Sequence, residues 1–232
     1  KLEVLKLNNE TINYFKFAPG KQATEWNKFY KESIIAVNFD STELGDLSKF
    51  NTKSEINIAA GYPSDSDSNQ TWNLWLLKSA NIGDIVFASK GANICIGIGV
   101  VAGEYYYEEN DGAYKHRRKI KWLTDKIYQY KSGSYKKYKK LFRNDTFSPT
   151  LAGAFILNEY ARLYPELIPV FEKNKIIYAS ELNTENSQLE MEATDEENEP
   201  INFWWLNANP KIWSISSHVE NQRQSYTTHN EK

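Results

Sequence analysis

The stretch from Gly83 to Trp122 constrains this chain most, because its patterning admits little besides consecutive antiparallel strands. Asp84 to Ser89 is apolar and β-branched, and Lys90 to Asn93 supplies turn residues. From Ile94 to Val101, strict alternation places Ile94, Ile96, Ile98 and Val100 on one face. Cys95, Gly97 and Gly99 fall on the other. A strand interior tolerates such a bare face where the sheet bends sharply or where a ligand approaches the backbone. After a break at Ala102-Gly103, Glu104 to Tyr107 reads as an aromatic strand. An acidic loop then leads to Tyr114 and the basic strand His116 to Trp122.

With 232 residues the chain is long enough to bury a substantial core. Seven tryptophans and fifteen tyrosines exceed what a core usually requires, and such an excess suits interfaces and base-stacking surfaces. The single cysteine, Cys95, excludes a disulfide framework within the sequence and fits a reduced cytoplasm. Three histidines make a histidine-rich metal site an unpromising reading. No window approaches the apolar length of a membrane span, and the first residues lack a signal-peptide pattern.

The net charge of −2 hides a split. Residues 1–180 hold 25 Lys and Arg against 20 Asp and Glu, whereas residues 181–232 hold 3 against 10. Lys115 to Arg143 alone carries twelve cations and one acid, interleaved with Trp122 and several tyrosines. A dense basic run is often a solvated face; interleaved aromatics point instead to a polyanion with stackable bases.

Elsewhere, residues 1–20 suggest one or two short strands. Lys21 to Glu32 has helical spacing at Trp26, Phe29 and Tyr30. Ile34 to Phe39 reads as a buried strand, Thr52 and Glu55 form a capping-box pattern, and Trp72 to Leu77 is helical again. Ser148-Pro149 has the form of an N-cap and first helical residue. These patterns divide the chain into a domain over residues 1–180, an acidic linker over 181–200 and an apolar, tryptophan-rich tail over 201–232.

Several motifs, in order, carry a family likeness: Phe17-Ala18-Pro19-Gly20 before the Trp26 helix, Leu44-Gly45-Asp46-Leu47, Gly83-Asp84-Ile85-Val86, Gly97-x-Gly99-Val100-Val101, and His116-Arg117-Arg118-x-x-Lys121-Trp122. Together they resemble the EVE-type, PUA-superfamily recognition module of McrB-like modification-dependent restriction proteins. The tail from Phe203 is similar to the start of a second such domain. The resemblance implies an α+β fold, a small bent PUA-like β-barrel related to EVE and YTH domains, with flanking helices. It further implies a non-enzymatic module that flips a modified base, expected to be methylated, out of double-stranded DNA. An AAA+ motor ring and a nuclease subunit would be its partners in the full restriction system, without membrane or cofactor. No phosphate-loop motif occurs in the sequence.

On that reading Trp26, Phe39, Tyr105 and Tyr106 are candidates for stacking, and Asn38, Asp40 and Ser89 for the base edge. Relatives often place a tryptophan where this chain has Phe39. Lys90, Lys115, His116, Arg117, Arg118 and Lys121 would hold the nucleic-acid backbone, and the Gly97-Gly99 face would admit the nucleotide's sugar. Core packing competes for each aromatic, and a hydrogen-bonded structural role competes for His116. Two other functional classes stand beside this one: a reader of modified single-stranded RNA, and a protein-interaction module built on exposed aromatics. No catalytic pair or metal spacing is legible.

Overall fold

The computed structural model describes residues 12–39, 44–110, 112–132 and 138–176. By internal contacts the chain divides into Lys1–Glu185 and Asn186–Lys232, and all described residues belong to the first unit. The expected acidic linker and tail lie outside the described residues, as does Asp40.

The fold is α+β, a bent β-barrel-like sheet with flanking helices. Its elements run β1 (Tyr14–Phe17), α1 (Trp26–Glu32), β2 (Ile34–Val37), α2 (Lys53–Ala59), α3 (Asn69–Ser79), β3 (Ile85–Lys90) and β4 (Ile94–Tyr107). There follow β5 (His116–Thr124), β6 (Tyr128–Gln129), β7 (Phe147–Pro149), α4 (Gly153–Leu163) and α5 (Ile168–Lys173). The strand order is β2-β5-β4-β3-β1-β7, with β6 pairing to β4. Only the β1–β3 pairing is parallel among these ladders.

Period-two alternation splits the apolar side chains between two cores. Phe15, Phe17 and Val86 join Phe29 of α1, Ile56 of α2 and Leu74 of α3 in the first. Tyr14, Ile85 and Phe87 face the second, built with Ile156 and Tyr160 of α4 and Phe171 of α5. Phe17, Phe29 and Phe147 have no exposed surface, and each such burial contributes roughly 1.5–3 kcal/mol. Although β2 and β7 end the pairing path on opposite sides, Ile34–Val37 and Phe147 share the first core. The sheet must coil for its two edges to meet.

The expected strand break at Ala102-Gly103 is instead an irregularity inside a single fourteen-residue β4. Its register shifts between Val101 and Tyr105, where β4 carries residues that β5 does not match. A second shift falls opposite Ala88 and Ser89, which pair with Gly97 and Cys95 and leave Ile96 unmatched. That bulge breaks the strict alternation, so Cys95 and Ile98 enter the same core.

The bare glycine face is filled by protein. A Cβ on Gly97 would lie 2.5 Å from Trp26 Cη2 and 3.0 Å from the Thr124 carbonyl; one on Gly99 would lie 2.7 Å from the Trp122 ring. Gly97 therefore admits Trp26 of α1 to the sheet, and Gly99 makes room for Trp122 and Ile120 of β5, not for a sugar.

Two local expectations change for identifiable reasons. The helix expected from Lys21 is a 3-10 turn at Lys21–Ala23 followed by α1, because Gln22 and Ala23 adopt φ of 54° and 62°. Ser148-Pro149 belongs to β7, and α4 begins at Gly153. Pairing with β1 recruits Ser148, while Pro149 sits on the edge strand, where a missing N–H is tolerated. The Thr52 half of the capping box forms, Thr52 accepting from the Glu55 amide at 3.2 Å, whereas the Glu55 carboxylate accepts at 2.6 Å from the amide of Asn51, one residue before the cap.

Candidate functional site

Coiling of the sheet creates a cavity of about 410 Å³. One wall comes from β1, β3 and β7: Lys16 and Ala18, Ser89 and Gly91, and the segment Arg143 to Thr146 before β7. The facing wall comes from the β2–β5 end of the sheet, Asn38 just beyond β2 and Tyr114 just before β5. Gly20 and the Lys21–Ala23 turn close the remaining side. The volume falls within the roughly 300–1,000 Å³ range of small-molecule sites.

The turn at the rim is conformationally constrained. Gly20 has φ of 74°, and a Cβ there would come within 2.9 Å of Thr24 Oγ1 and 3.2 Å of the Tyr114 hydroxyl. Gln22 and Ala23 follow in the left-handed region without being glycine, at a cost of about 1–2 kcal/mol each. Strained backbone of this kind concentrates at binding sites.

The opposite rim is fixed by α3. Asn69 donates through Nδ2 to Asp145 Oδ1 at 2.7 Å, and Asn73 Oδ1 accepts from the Phe147 amide at 2.6 Å. Arg143 Nε lies 3.0 Å from Asp145 Oδ2, whose side chain is 8% exposed. Lys16 is only 3% exposed although it lines the cavity. Burial pushes its ammonium down to about 8, against the opposing attraction of Asp145. Among the described residues no hydrogen-bond or ion-pair partner reaches this ammonium. Ser89 is buried and donates from Oγ to the Phe17 carbonyl at 3.2 Å, whereas Asn38 is exposed.

Of the sequence-based candidates among the described residues, only Asn38 and Ser89 line this cavity. Trp26 is half-buried against Tyr30 and Trp122, with ring centroids at 5.2 and 4.7 Å. Phe39 packs against the first core. Tyr105 and Tyr106 are adjacent on β4 and project to opposite faces. The Tyr105 hydroxyl accepts from the Leu47 amide at 3.1 Å and meets His116 Nδ1 at 2.9 Å, while Tyr106 carries Lys119 over its ring at 5.5 Å. The four expected stacking residues do not converge.

The expected backbone clamp is also corrected. Arg118 is 1% exposed; its guanidinium donates to the carbonyls of Leu77, Lys78 and Gly103 at 3.1, 2.7 and 3.1 Å and pairs with Glu104 at 3.3 Å. Arg117 is 7% exposed and donates from Nε to the Tyr114 carbonyl at 2.7 Å. His116 is buried, and that burial lowers its pKa to about 4, so it is neutral near pH 7. These three side chains serve the fold because β5 is interior to the sheet, between β2 and β4. Lys90 and Lys121 are exposed and Lys115 is half-buried; Lys121 Nζ donates to Asn174 Oδ1 at 2.7 Å.

Lys16 and Tyr114 escaped the sequence reading. The signal for Lys16 was a lone charge between Phe15 and Phe17 in an otherwise apolar strand. Tyr114 carried no distinguishing signal among fifteen tyrosines. Among the described residues no group of three or more His, Cys, Asp or Glu is gathered as a metal would require. No helix among them is long and apolar enough to cross a membrane.

The fold is similar to solved YTH domains. One, titled "Crystal structure of the MmI1 YTH domain", is 15% identical with a TM-score of 0.35, covering 65% of this chain and 98% of that one. Another, "YTH domain-containing protein mmi1 and RNA complex", is 14% identical with a TM-score of 0.36, covering 68% and 91%. At that distance nothing about a ligand carries over. No curated protein matches the sequence. Residues 15–147, which span β1 to the start of β7 and every residue lining the cavity, match the family described as "Domain of unknown function (DUF8426)". The chain belongs to the DUF8426 family.

Proposed function

We propose that this protein is a nucleic-acid reader that takes one unstacked, modified base into the cavity between the β1–β3–β7 ends and the β2–β5 end. The observation that carries the reading is the cavity's composition: one aromatic ring, Tyr114, together with side-chain groups suited to a base edge, Asn38 on the same wall and Ser89 on the facing one, under a rim bearing Lys21 and Arg143. Stacking supplies affinity of about 1–3 kcal/mol per base, and polar groups at the base edge supply selectivity.

A single strand suits this geometry better than a duplex. The cations expected to grip a duplex, Arg117 and Arg118, are folded into the interior, and a single-stranded base enters without the few kcal/mol that flipping costs. RNA bearing a methylated base is therefore the first ligand to test. Duplex DNA with a modified base, in partnership with a motor and a nuclease, is the second reading. It draws on the resemblance to McrB-like modules and on the basic run from Lys115 to Arg143.

Fluorescence anisotropy at low salt, with single-stranded RNA and duplex DNA each with and without N6-methyladenine or 5-methylcytosine, tests both readings. Asn38→Ala should weaken binding about tenfold or more while leaving the melting transition nearly unchanged; Tyr114→Ala should weaken it as much and also lower the melting temperature, because its ring packs edge-on against Phe29 at 5.1 Å. Failure to bind any of these nucleic acids would sink the proposal and favour a protein-interaction module.

A further inference from the structure

The cavity contains more positive charge than reading a neutral base requires. Lys16, Lys21 and Arg143 line it against a single carboxylate, Asp145. That carboxylate is already engaged by Arg143 and Asn69. Lys16 is the informative group. It is 3% exposed and, among the described residues, its ammonium meets no hydrogen-bonding partner. The Lys16 stem is buried while its ammonium opens onto the cavity near Asp145, where an anionic ligand would supply charge and acceptor oxygens together. Asn38 and Ser89 are uncharged and cannot do so.

From this geometry we infer that the cavity binds a whole nucleotide, with its phosphate against Lys16 and its base against Tyr114 and Asn38. The inference rests on the nucleic-acid reading above and names a second contact within the same site. Tyr114 and Asn38 stand on the wall facing Lys16, so base and phosphate have separate places in a cavity of about 410 Å³. Two sources could supply that phosphate: a mononucleotide or strand terminus, and the diester of an internal residue. Asp145, which is next to Lys16 electrostatically, disfavours a doubly charged group less than the three cations favour it.

Isothermal titration with a nucleoside, its 5′-monophosphate and the corresponding dinucleoside monophosphate separates these cases. A charge-assisted bond to buried Lys16 should make a phosphorylated ligand bind roughly 10- to 100-fold more tightly than the nucleoside. Lys16→Met should remove that advantage while leaving nucleoside affinity unchanged. Preference for the monophosphate over the dinucleotide identifies a strand-end reader; equal affinity identifies the internal diester. Asp145→Asn should strengthen phosphate binding a few-fold, and inorganic phosphate should compete with the nucleotide in wild type only. If nucleoside and nucleotide bind alike, or if Lys16→Met retains the phosphate advantage, the inference fails while base reading stands. Absence of binding to all oligonucleotides would remove the reading beneath it.

Discussion

Replacing Lys16 with methionine should stabilise the protein near neutral pH, and the gain should vanish in alkali. Burial holds the Lys16 ammonium at about 8, against an ordinary value of 10.5. At about 1.4 kcal/mol per pH unit, this displacement corresponds to roughly 3 kcal/mol of native-state destabilisation while the group is charged. Below pH 8 the folded and unfolded chains are both protonated here, and the full cost applies. Between pH 8 and 10.5 the folded chain has lost the proton and the unfolded chain retains it, so wild-type stability rises relative to the variant. Above 10.5 both are neutral at this position. Methionine has a similar length and flexibility and no charge to desolvate. Urea unfolding followed by tryptophan fluorescence, at intervals from pH 7 to 10.5, measures the gap between the two proteins. Other alkaline titrations are shared by both and cancel, including that of the buried Cys95 thiol, pushed up to about 11 by burial. The gap should start near 3 kcal/mol and close. A variant less stable than wild type at pH 7, or a gap independent of pH, would refute the reading of Lys16 as a cation whose charge burial disfavours more than Asp145 favours it.

Three further outcomes follow from the same contacts. His116, held at about 4 by burial against an ordinary 6.5, makes the unfolded chain the better proton acceptor between those values. Acidification through that window should remove roughly 3 kcal/mol of stability, and His116→Phe should flatten this acid limb in pH-dependent urea melts. Arg118→Met strips donors from the Leu77, Lys78 and Gly103 carbonyls and should cost about 3–5 kcal/mol in thermal or urea unfolding; any folded fraction should still bind nucleic acid. Gly97→Ala, whose new methyl would lie 2.5 Å from Trp26 Cη2 and 3.0 Å from the Thr124 carbonyl, should cost about 1–3 kcal/mol. The accompanying repacking should appear as a shift in tryptophan emission.

The strand residues that the sequence exposed most clearly are those whose neighbours are local. Ile85 to Ser89 and Ile94 to Val101 pair as an antiparallel hairpin, as their turn chemistry implies. The Thr52 cap forms because its partner, the Glu55 amide, lies within the same turn. Gly97 and Gly99 were legible as sites of close approach, but not as approached by Trp26, distant in the sequence, at Gly97 and by Trp122 and Ile120 of β5 at Gly99. Arg117 and Arg118 misled for a related reason. A cation in a strand reads as surface unless one knows that the strand lies between two others and that a helix terminus offers carbonyls to it.

The division between sequence and tertiary structure is clearest at the cavity. Alternation and turn chemistry, both local, determined the strands; composition gave the aromatic and basic character of the chain, and the family likeness made Asn38 and Ser89 candidates. Tertiary structure alone decided that Asn38 and Tyr114 would face Lys16 and Asp145. These residues belong to opposite regions of the pairing order, and only the irregularities in β4 and the coiling of the sheet bring them to one space. A bulge arises where packing on both faces outweighs regular pairing. That balance is settled by side chains distant in the sequence, which no local pattern records.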